Sequence, residues 1–395
     1  MNPQQIRDAE KKYLVQTYAR PPFVLTRGEG VYVYDADGNK YLDVAAGIAV
    51  NALGYNEPGL VKAMQDAAAG LLHTSNLFYT EPQVVLAQAL VEKSFADKVF
   101  FANTGTEAVE GALKFARKYH QERGDAQRKN FVALRGSFHG RTMGALAATD
   151  SEKYQGPFRP LMPGVTFANF NDLDSARAAI TAETAAVIIE PVQGEGGVYP
   201  TSDAFLRGLR QVCDERGALL IFDEIQCGMG RTGKLWGHEW SGVTPDVMTI
   251  AKPLAGGLPI GAILTTDAVA SAVHVGEHGT TFGGGAFITA VALHVFNRVS
   301  DPAFLAHVNE MGNYLMERVS EINSPHIQEV RGRGLMIGVE LDIDAGKVRE
   351  QGYKHGVLLI QARDKVVRFV PPLIFQKAHV DELIEKFAQV LAEMV

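Results

Sequence analysis

The sequence predicts an α/β protein: a large domain with a mostly parallel sheet covered by helices, and a smaller α/β domain assembled from both chain ends. Three observations carry this expectation. Through the middle of the chain, short apolar runs alternate with amphipathic helical stretches. Glu190, Asp223 and Lys252 each stand at or just beyond the end of such a run, where open α/β sheets bind ligands. The flanks follow a different pattern, opening on a hairpin and closing on strands and an amphipathic helix.

At 395 residues the chain exceeds the usual size of one core, so two domains are expected. Residues 1–50 and 284–395 are assigned to the small domain and 51–283 to the large one. A hydrophobic content of 46% with 21% charged residues describes an ordinary globular protein. The formal net charge of −7, with no long run of lysine and arginine, argues against a nucleic-acid-binding surface. An anionic ligand must then be held by local features. Cys213 and Cys227 are the only cysteines, too few for a disulfide framework and without metal-ligand spacing, so a reducing, cytoplasmic setting and no metal centre are expected. Met1 to Asp8 lacks an apolar signal core, and no apolar stretch approaches a membrane span.

In chain order, residues 28 to 44 read as two alternating strands around the turn Asp37-Gly38. Residues 99–102, 131–134, 186–189, 219–222, 247–250 and 261–265 read as strands of the large sheet. Between the first two, Thr106 to Arg123 places Val109, Ala112, Leu113 and Ala116 on one helical face. Beyond residue 284 come a long helical stretch, strands at 331–341, 356–360 and 366–370, and a closing helix from Val380. There is no internal repeat, low-complexity segment or linker, so the two domains should be tightly joined.

Lys252 ends the run Val247-Met248-Thr249-Ile250-Ala251-Lys252 and precedes Gly256-Gly257. An amine is a poor nucleophile at neutral pH unless it is desolvated or placed among positive charges, and a strand end provides such a cleft. A lone lysine there would read as a surface residue. Asp223, ending Leu219-Leu220-Ile221-Phe222-Asp223, changes that reading. Pyridoxal phosphate needs both groups, a lysine for its aldehyde and a carboxylate to keep its ring nitrogen protonated.

Asn103-Thr104-Gly105-Thr106-Glu107 joins a strand to a helix with Thr104 and Glu107 at capping-box spacing, and the free amides of such a helix start form an anion site. A plain cap explains the segment almost as well, but its place beside the other strand ends favours phosphate binding. In Gly136-Ser137-Phe138-His139-Gly140-Arg141-Thr142, Phe138 can cover a flat ring and Arg141 can grip a carboxylate. His139 reads as a hydrogen-bonded structural residue. Gly228-Met229-Gly230-Arg231-Thr232-Gly233 imitates a dinucleotide motif, but acidic residues separate it from its strand and no helix follows. It also imitates a P-loop, with Leu235 where the metal-binding hydroxyl should be.

Taken together these segments resemble the class III pyridoxal-phosphate aminotransferases, over nearly the whole chain, and within that family its acetylornithine branch. The resemblance rests on Tyr18-Ala19-Arg20-Pro21-Pro22, Gly28-Glu29-Gly30, Tyr41-Leu42-Asp43, His73-Thr74-Ser75-Asn76, Ser137 to Thr142, Glu190 to Gly197 and Asp223-Glu224-Ile225-Gln226. It implies the fold type I, aspartate aminotransferase-like architecture. Gly105 and Thr106 would hold the phosphate, Phe138 would stack on the ring, Asp223 would meet the pyridine nitrogen, and Gln226 would lie near the ring hydroxyl. Glu224 and Ile225 count with these cofactor residues, and Lys252 would carry the aldehyde as a Schiff base. Thr281 would reach the phosphate of the other subunit, with Thr280 beside the substrate, in a homodimer. Gly284-Gly285-Ala286 departs from the family's Gly-Asn-Pro, and Gly54-Tyr55-Asn56-Glu57-Pro58 from Gly-His-x-His-Pro.

The activity this implies is transfer of the terminal amino group of N-acetylornithine to 2-oxoglutarate, giving the semialdehyde and glutamate, with Lys252 and Asp223 catalytic. Two substrates of different shape must share one pocket. Arg368 matches the family's α-carboxylate arginine, Glu195 would mask it when acetylornithine reacts, and Arg141 would hold the far carboxylate of either substrate. Ornithine, succinylornithine, 4-aminobutyrate or a carrier-linked aminoadipate semialdehyde are rival substrates. A non-catalytic cofactor-binding protein and a dinucleotide oxidoreductase are rival functions from other classes.

Overall fold

In the computed structural model, which describes residues 1–394, the central sheet has seven strands. Their order is Lys98–Ala102, Gly261–Thr265, Val247–Ile250, Leu219–Asp223, Thr184–Ile189, Asn130–Leu134 and Val165–Ala168. Only Gly261–Thr265 runs antiparallel to its neighbours. Every residue of Thr184–Ile189 and Leu219–Asp223 is buried, which is why these strands read as unbroken apolar runs: helices cover both faces. The six expected strands are all present. Val165–Ala168 was not foreseen, because on the sheet's edge only Ala168 is buried, so the stretch lacks the continuous apolar run of the inner strands.

The helix Gly105–Glu122 lies on this sheet through Val109, Ala112, Leu113, Ala116 and neighbours, all buried. Thr104 caps it by accepting from the Glu107 amide at 3.3 Å, and the Glu107 carboxylate returns the contact to the amides of Asn103 (2.7 Å) and Thr104 (3.1 Å). The reciprocal cap holds the helix start in register with the strand end before it.

The outer sheets draw on both ends of the chain. Leu25–Glu29, Tyr32–Asp35 and Lys40–Asp43 form an antiparallel ribbon, and Val357–Leu358 from the far end joins it parallel to Lys40–Asp43. A second sheet orders Ile327–Arg333, Met336–Leu341, Val366–Phe369 and Ile360–Gln361. The stretch expected as one strand at 331–341 is thus a hairpin, which turns at Gly334 (φ +54°). The long helical stretch after residue 284 is two helices, Ala286–Val299 and Pro302–Ser320. Pro302 starts the second, and Asp301 caps it by accepting from the amides of Ala303 and Phe304. The closing helix is Lys377–Ala392.

Two sequence oddities find structural explanations. The segment Gly228 to Gly233 is a loop, followed only by the single 3₁₀ turn Gly237–Trp240. Arg231 within it is fully buried and donates to the carbonyls of Leu335 (3.0 Å) and Pro371 (2.5 Å). A side chain on Gly233 would collide with Asn309 of the Pro302–Ser320 helix. Gly230 and Gly233 allow close packing against the helices Ala286–Val299 and Pro302–Ser320, and no helix start stands behind the motif to hold a nucleotide. Tyr55, the departure near the N-terminus, fills the space that a side chain on Gly28 would need, with its ring 2.4 Å from that position. Its hydroxyl donates to Asp43 at 2.6 Å, while Glu57 caps the helix Pro58–Ala68.

Thr104→Ala removes the side-chain half of the cap on Gly105–Glu122 and should lower stability by about 1 kcal/mol. Urea unfolding of the cofactor-free protein measures this, and Thr104→Ser should retain most of the lost stability.

Candidate active site

The carboxyl ends of the parallel strands surround a cavity of about 430 Å³. Residues following four of them reach its wall: Asn103 to Thr106, Phe138 to Arg141, Asp223 to Gln226 (whose first residue ends its strand) and Ala251-Lys252, with Glu190 from a fifth. Lys252 opens a 3₁₀ turn whose next three residues are buried. Burial pushes its ammonium pKa down, with the nearby Arg368 charge acting in the same direction and Glu195, Asp223 and Glu190 opposing. The unprotonated amine is therefore more accessible here than in water.

Asp223 is 3% exposed. Its Oδ2 lies 2.7 Å from His139 Nδ1, and its Oδ1 accepts from the Ile225 amide (3.1 Å) and the Thr249 hydroxyl (3.3 Å). His139 is buried, its amide donates to Thr149 Oγ1, and its Nε2 has no partner. The imidazole thus orients the carboxylate, in keeping with its reading as a structural histidine. Glu190 accepts from the amides of Phe138 and Gly194, both at 3.0 Å. Burial raises its pKa to about 7, with Asp223 adding and His139 opposing.

The remaining expected residues divide. Gly105 and Thr106 begin the capped helix; a side chain on Gly105 would meet Ile225 at 2.9 Å, so only bare backbone fits there. The Thr106 hydroxyl is occupied by the amides of Arg141 and Thr142, which leaves the backbone amides of this turn to face a ligand. Phe138 and Ile225 line the cavity as apolar walls. Arg368 is buried, donates to Gln226 Oε1 at 2.9 Å and pairs with Glu195 at 2.8 Å. Arg141 is exposed and lies 3.6 Å from the ring centre of Tyr154, a stacking partner that no sequence signal announced.

The Glu224 carboxylate turns out of the cavity and accepts from the Gly237 and His238 amides and from His238 Nδ1, which leaves only its backbone on the cavity side of the chain. Thr280 and Thr281 do not line the cavity of their own chain; Thr280 Oγ1 accepts from Asn103 Nδ2 at 3.1 Å, and Thr281 is exposed. Leu258, Pro259 and Ile260 also line the cavity and went unforeseen. Their only signal was the bend at Gly256-Gly257, which returns the chain across the site. Both cysteines are buried; burial pushes the Cys213 thiol up to about 12, so neither is a nucleophile.

This donor set fits pyridoxal phosphate. A desolvated lysine amine, a carboxylate held by three donors, two apolar walls and a helix start without room for a side chain all face one cavity.

The family model for aminotransferase class-III matches residues 13–391. A mitochondrial acetylornithine aminotransferase of Alnus glutinosa is 49% identical, covering 98% of this chain and 87% of its own. The solved ornithine aminotransferase of Toxoplasma gondii superposes with a TM-score of 0.95 at 29% identity, covering 99% and 95%. The N-acetylornithine aminotransferase of Stenotrophomonas maltophilia does so at 0.84 and 37%, covering 98% of each chain. The chain belongs to the class-III aminotransferases, pyridoxal-phosphate-dependent transaminases of fold type I.

The raised pKa of Glu190 has a signed consequence for stability. The folded chain keeps this proton up to about pH 7, whereas an unfolded glutamic acid releases it near 4.5. The stability it contributes is full below the lower value and is lost as pH rises through the upper one. Against Glu190→Gln, which does not titrate, the cofactor-free protein should lose about 1 kcal/mol per pH unit across that window. Urea unfolding at several pH values reads the difference.

Proposed function

We propose that this class-III aminotransferase moves the terminal amino group of N2-acetyl-L-ornithine to 2-oxoglutarate, giving N-acetyl-L-glutamate 5-semialdehyde and L-glutamate, a step of arginine biosynthesis. The observation that carries this reading is the Arg368–Glu195 pair at 2.8 Å. Glutamate reacts at an amine beside a carboxylate, and acetylornithine at an amine without one. A buried arginine would receive the first and would face a methylene chain in the second. Glu195 neutralises it in that second case and leaves it when an α-carboxylate arrives. Arg141, stacked on Tyr154 at the cavity wall, would hold the opposite end: the α-carboxylate of acetylornithine or the γ-carboxylate of glutamate. The acetylornithine aminotransferases among its relatives support the same substrate.

Pyridoxal phosphate, when bound, supplies an aldehyde that takes up the amino group and a ring that delocalises the electron pair left on carbon. The amides of Gly105 and Thr106 would hold its phosphate, Phe138 and Ile225 would cover its ring, and Gln226 would stand near the ring hydroxyl. Asp223 would keep the proton on the ring nitrogen, a fixed charge that needs no reorganisation as the reaction proceeds. Lys252 Nζ, whose protonation burial disfavours, would hold the aldehyde carbon and then carry the proton removed from the substrate.

The reading includes a homodimer. Leu71, Leu72, Leu77, Phe78 and Phe282 are each more than 60% exposed, and they support a second copy covering this edge, with Thr281 reaching the partner's phosphate site and Thr280 its substrate. Division into a small domain (1–50 with 284–395) and a large one (51–283) and a cytoplasmic location belong to the proposal as well. No helix of the described residues is long and apolar enough to cross a membrane.

Lys252→Ala should lose nearly all turnover, and borohydride reduction of the wild type should mark Lys252 by mass spectrometry; an adduct on another lysine would refute the assignment. Arg368→Ala should slow the glutamate half-reaction by about one to two decades more than the acetylornithine half-reaction, the value of a charge-assisted hydrogen bond. Single-turnover rates decide this, and equal losses would sink the switch. Steady-state kinetics across acetylornithine, succinylornithine, ornithine and 4-aminobutyrate tests the substrate itself.

A further inference from the structure

The switch requires Glu195 to leave Arg368, and a carboxylate that gives up a 2.8 Å partner in a partly buried position needs another. A second cavity, of about 370 Å³, shares Phe138 with the first and has Glu195 in its wall. Lys153 and Arg363 line it too, and among the described residues neither has an ion-pair partner. Of its carboxylates, Asp150 is already held by Arg135 (3.0 Å) and the Gly136 amide (2.8 Å), and Asp364 follows Arg363 in the chain.

Arg363 is placed with some strain. Its φ is +65°, a conformation that costs a residue with a side chain and that glycine would adopt freely. The effect is to lay its guanidinium over Gly136, with Nη2 2.8 Å from where a side chain on Gly136 would begin. Gly136 in turn packs on Gly196, whose own side-chain position lies 2.7 Å from the Gly136 carbonyl. Gly196 is the residue after Glu195. The bare backbones of two glycines thus bring the free guanidinium to the segment that carries the switch.

We propose that this cavity is the second seat of Glu195: when an α-carboxylate occupies Arg368, the Glu195 carboxylate turns to Arg363, which makes Arg363 a specificity-determining positioning residue of the glutamate half-reaction. The inference rests on the reading of Glu195 as the mask of Arg368. Arg363 touches neither substrate nor cofactor. It lowers the free energy of the one state in which Glu195 is displaced, and that state is used by glutamate and 2-oxoglutarate alone.

The test is a double-mutant cycle on the holoenzyme, read by single-turnover rates of each half-reaction. Arg363→Ala should slow the glutamate half-reaction about two- to fivefold relative to the acetylornithine half-reaction, as expected for a solvent-accessible pair, and Arg363→Lys should recover most of the loss. In a Glu195→Ala background the same substitution should change the ratio no further, because no carboxylate is left to rehouse. A loss of equal size in that background would mean that Arg363 acts on the substrate or on the fold, and would overturn the proposal. No loss in the wild-type background would overturn it also. Glu195→Ala alone tests the parent reading: if it does not shift preference toward glutamate, the mask itself fails and takes the second seat with it.

Discussion

Five ionisable groups are gathered where little water reaches, with a sixth, Glu195, at their rim, and a charge buried there has to be answered by a partner. Asp223, Glu190 and Arg368 are almost fully buried, and His139, Lys252 and Glu195 stand among them. Desolvation disfavours every one of these charges. The outcomes differ with the partners supplied. Asp223 has three donors and Arg368 has a carboxylate and an amide oxygen. Glu190 has two backbone amides and no cation in contact, and it is the group that holds its proton to about pH 7.

That network depends on two layers meeting at a fixed distance. Asp223 and Lys252 come from the parallel sheet, whose strand ends define one wall. Arg368 comes from Val366–Phe369, in a sheet formed wholly after residue 326. Glu195 lies in the loop between Val192–Gln193 and Tyr199–Pro200, which touches both. Arg331 of the outer sheet donates to the Gly197 carbonyl in that loop at 2.8 and 3.0 Å, and a side chain on Gly338 would collide with Val198. The loop carrying Glu195 is thus anchored two residues downstream of that carboxylate.

Much of this was legible in the sequence, for identifiable reasons. Asp223 and Lys252 could be found because a charged residue interrupts a buried strand's apolar pattern, and burial on both faces made those strands unmistakable. The helix Gly105–Glu122 announced itself through its cap. The direction of the Glu224 side chain could not be read, because it sits beside Asp223 in one motif while neighbouring side chains point apart, and its carboxylate goes to His238. Tyr154 and Arg363 were invisible, since each acts through a contact with a residue at least 13 positions away, Arg141 for one and Gly136 for the other. Thr280 and Thr281 could be singled out only by resemblance, as they lie off their own cavity.

Arg231 gives the joint between layers a character unlike that of the Arg368–Glu195 pair. Its acceptors, the carbonyls of Leu335 and Pro371, are uncharged, and no solvent touches it. Dissolved ions screen a charge pair only where they can approach it. They can approach Glu195, whose side chain is 28% exposed, although Arg368 beneath it is not. Ionic strength therefore acts on one contact and not on the other: on the proposed reading of Glu195 as the mask of Arg368, added salt would bias which substrate the pocket prefers while the frame around it stays put, so the balance between the two half-reactions would follow the electrolyte of the surrounding medium.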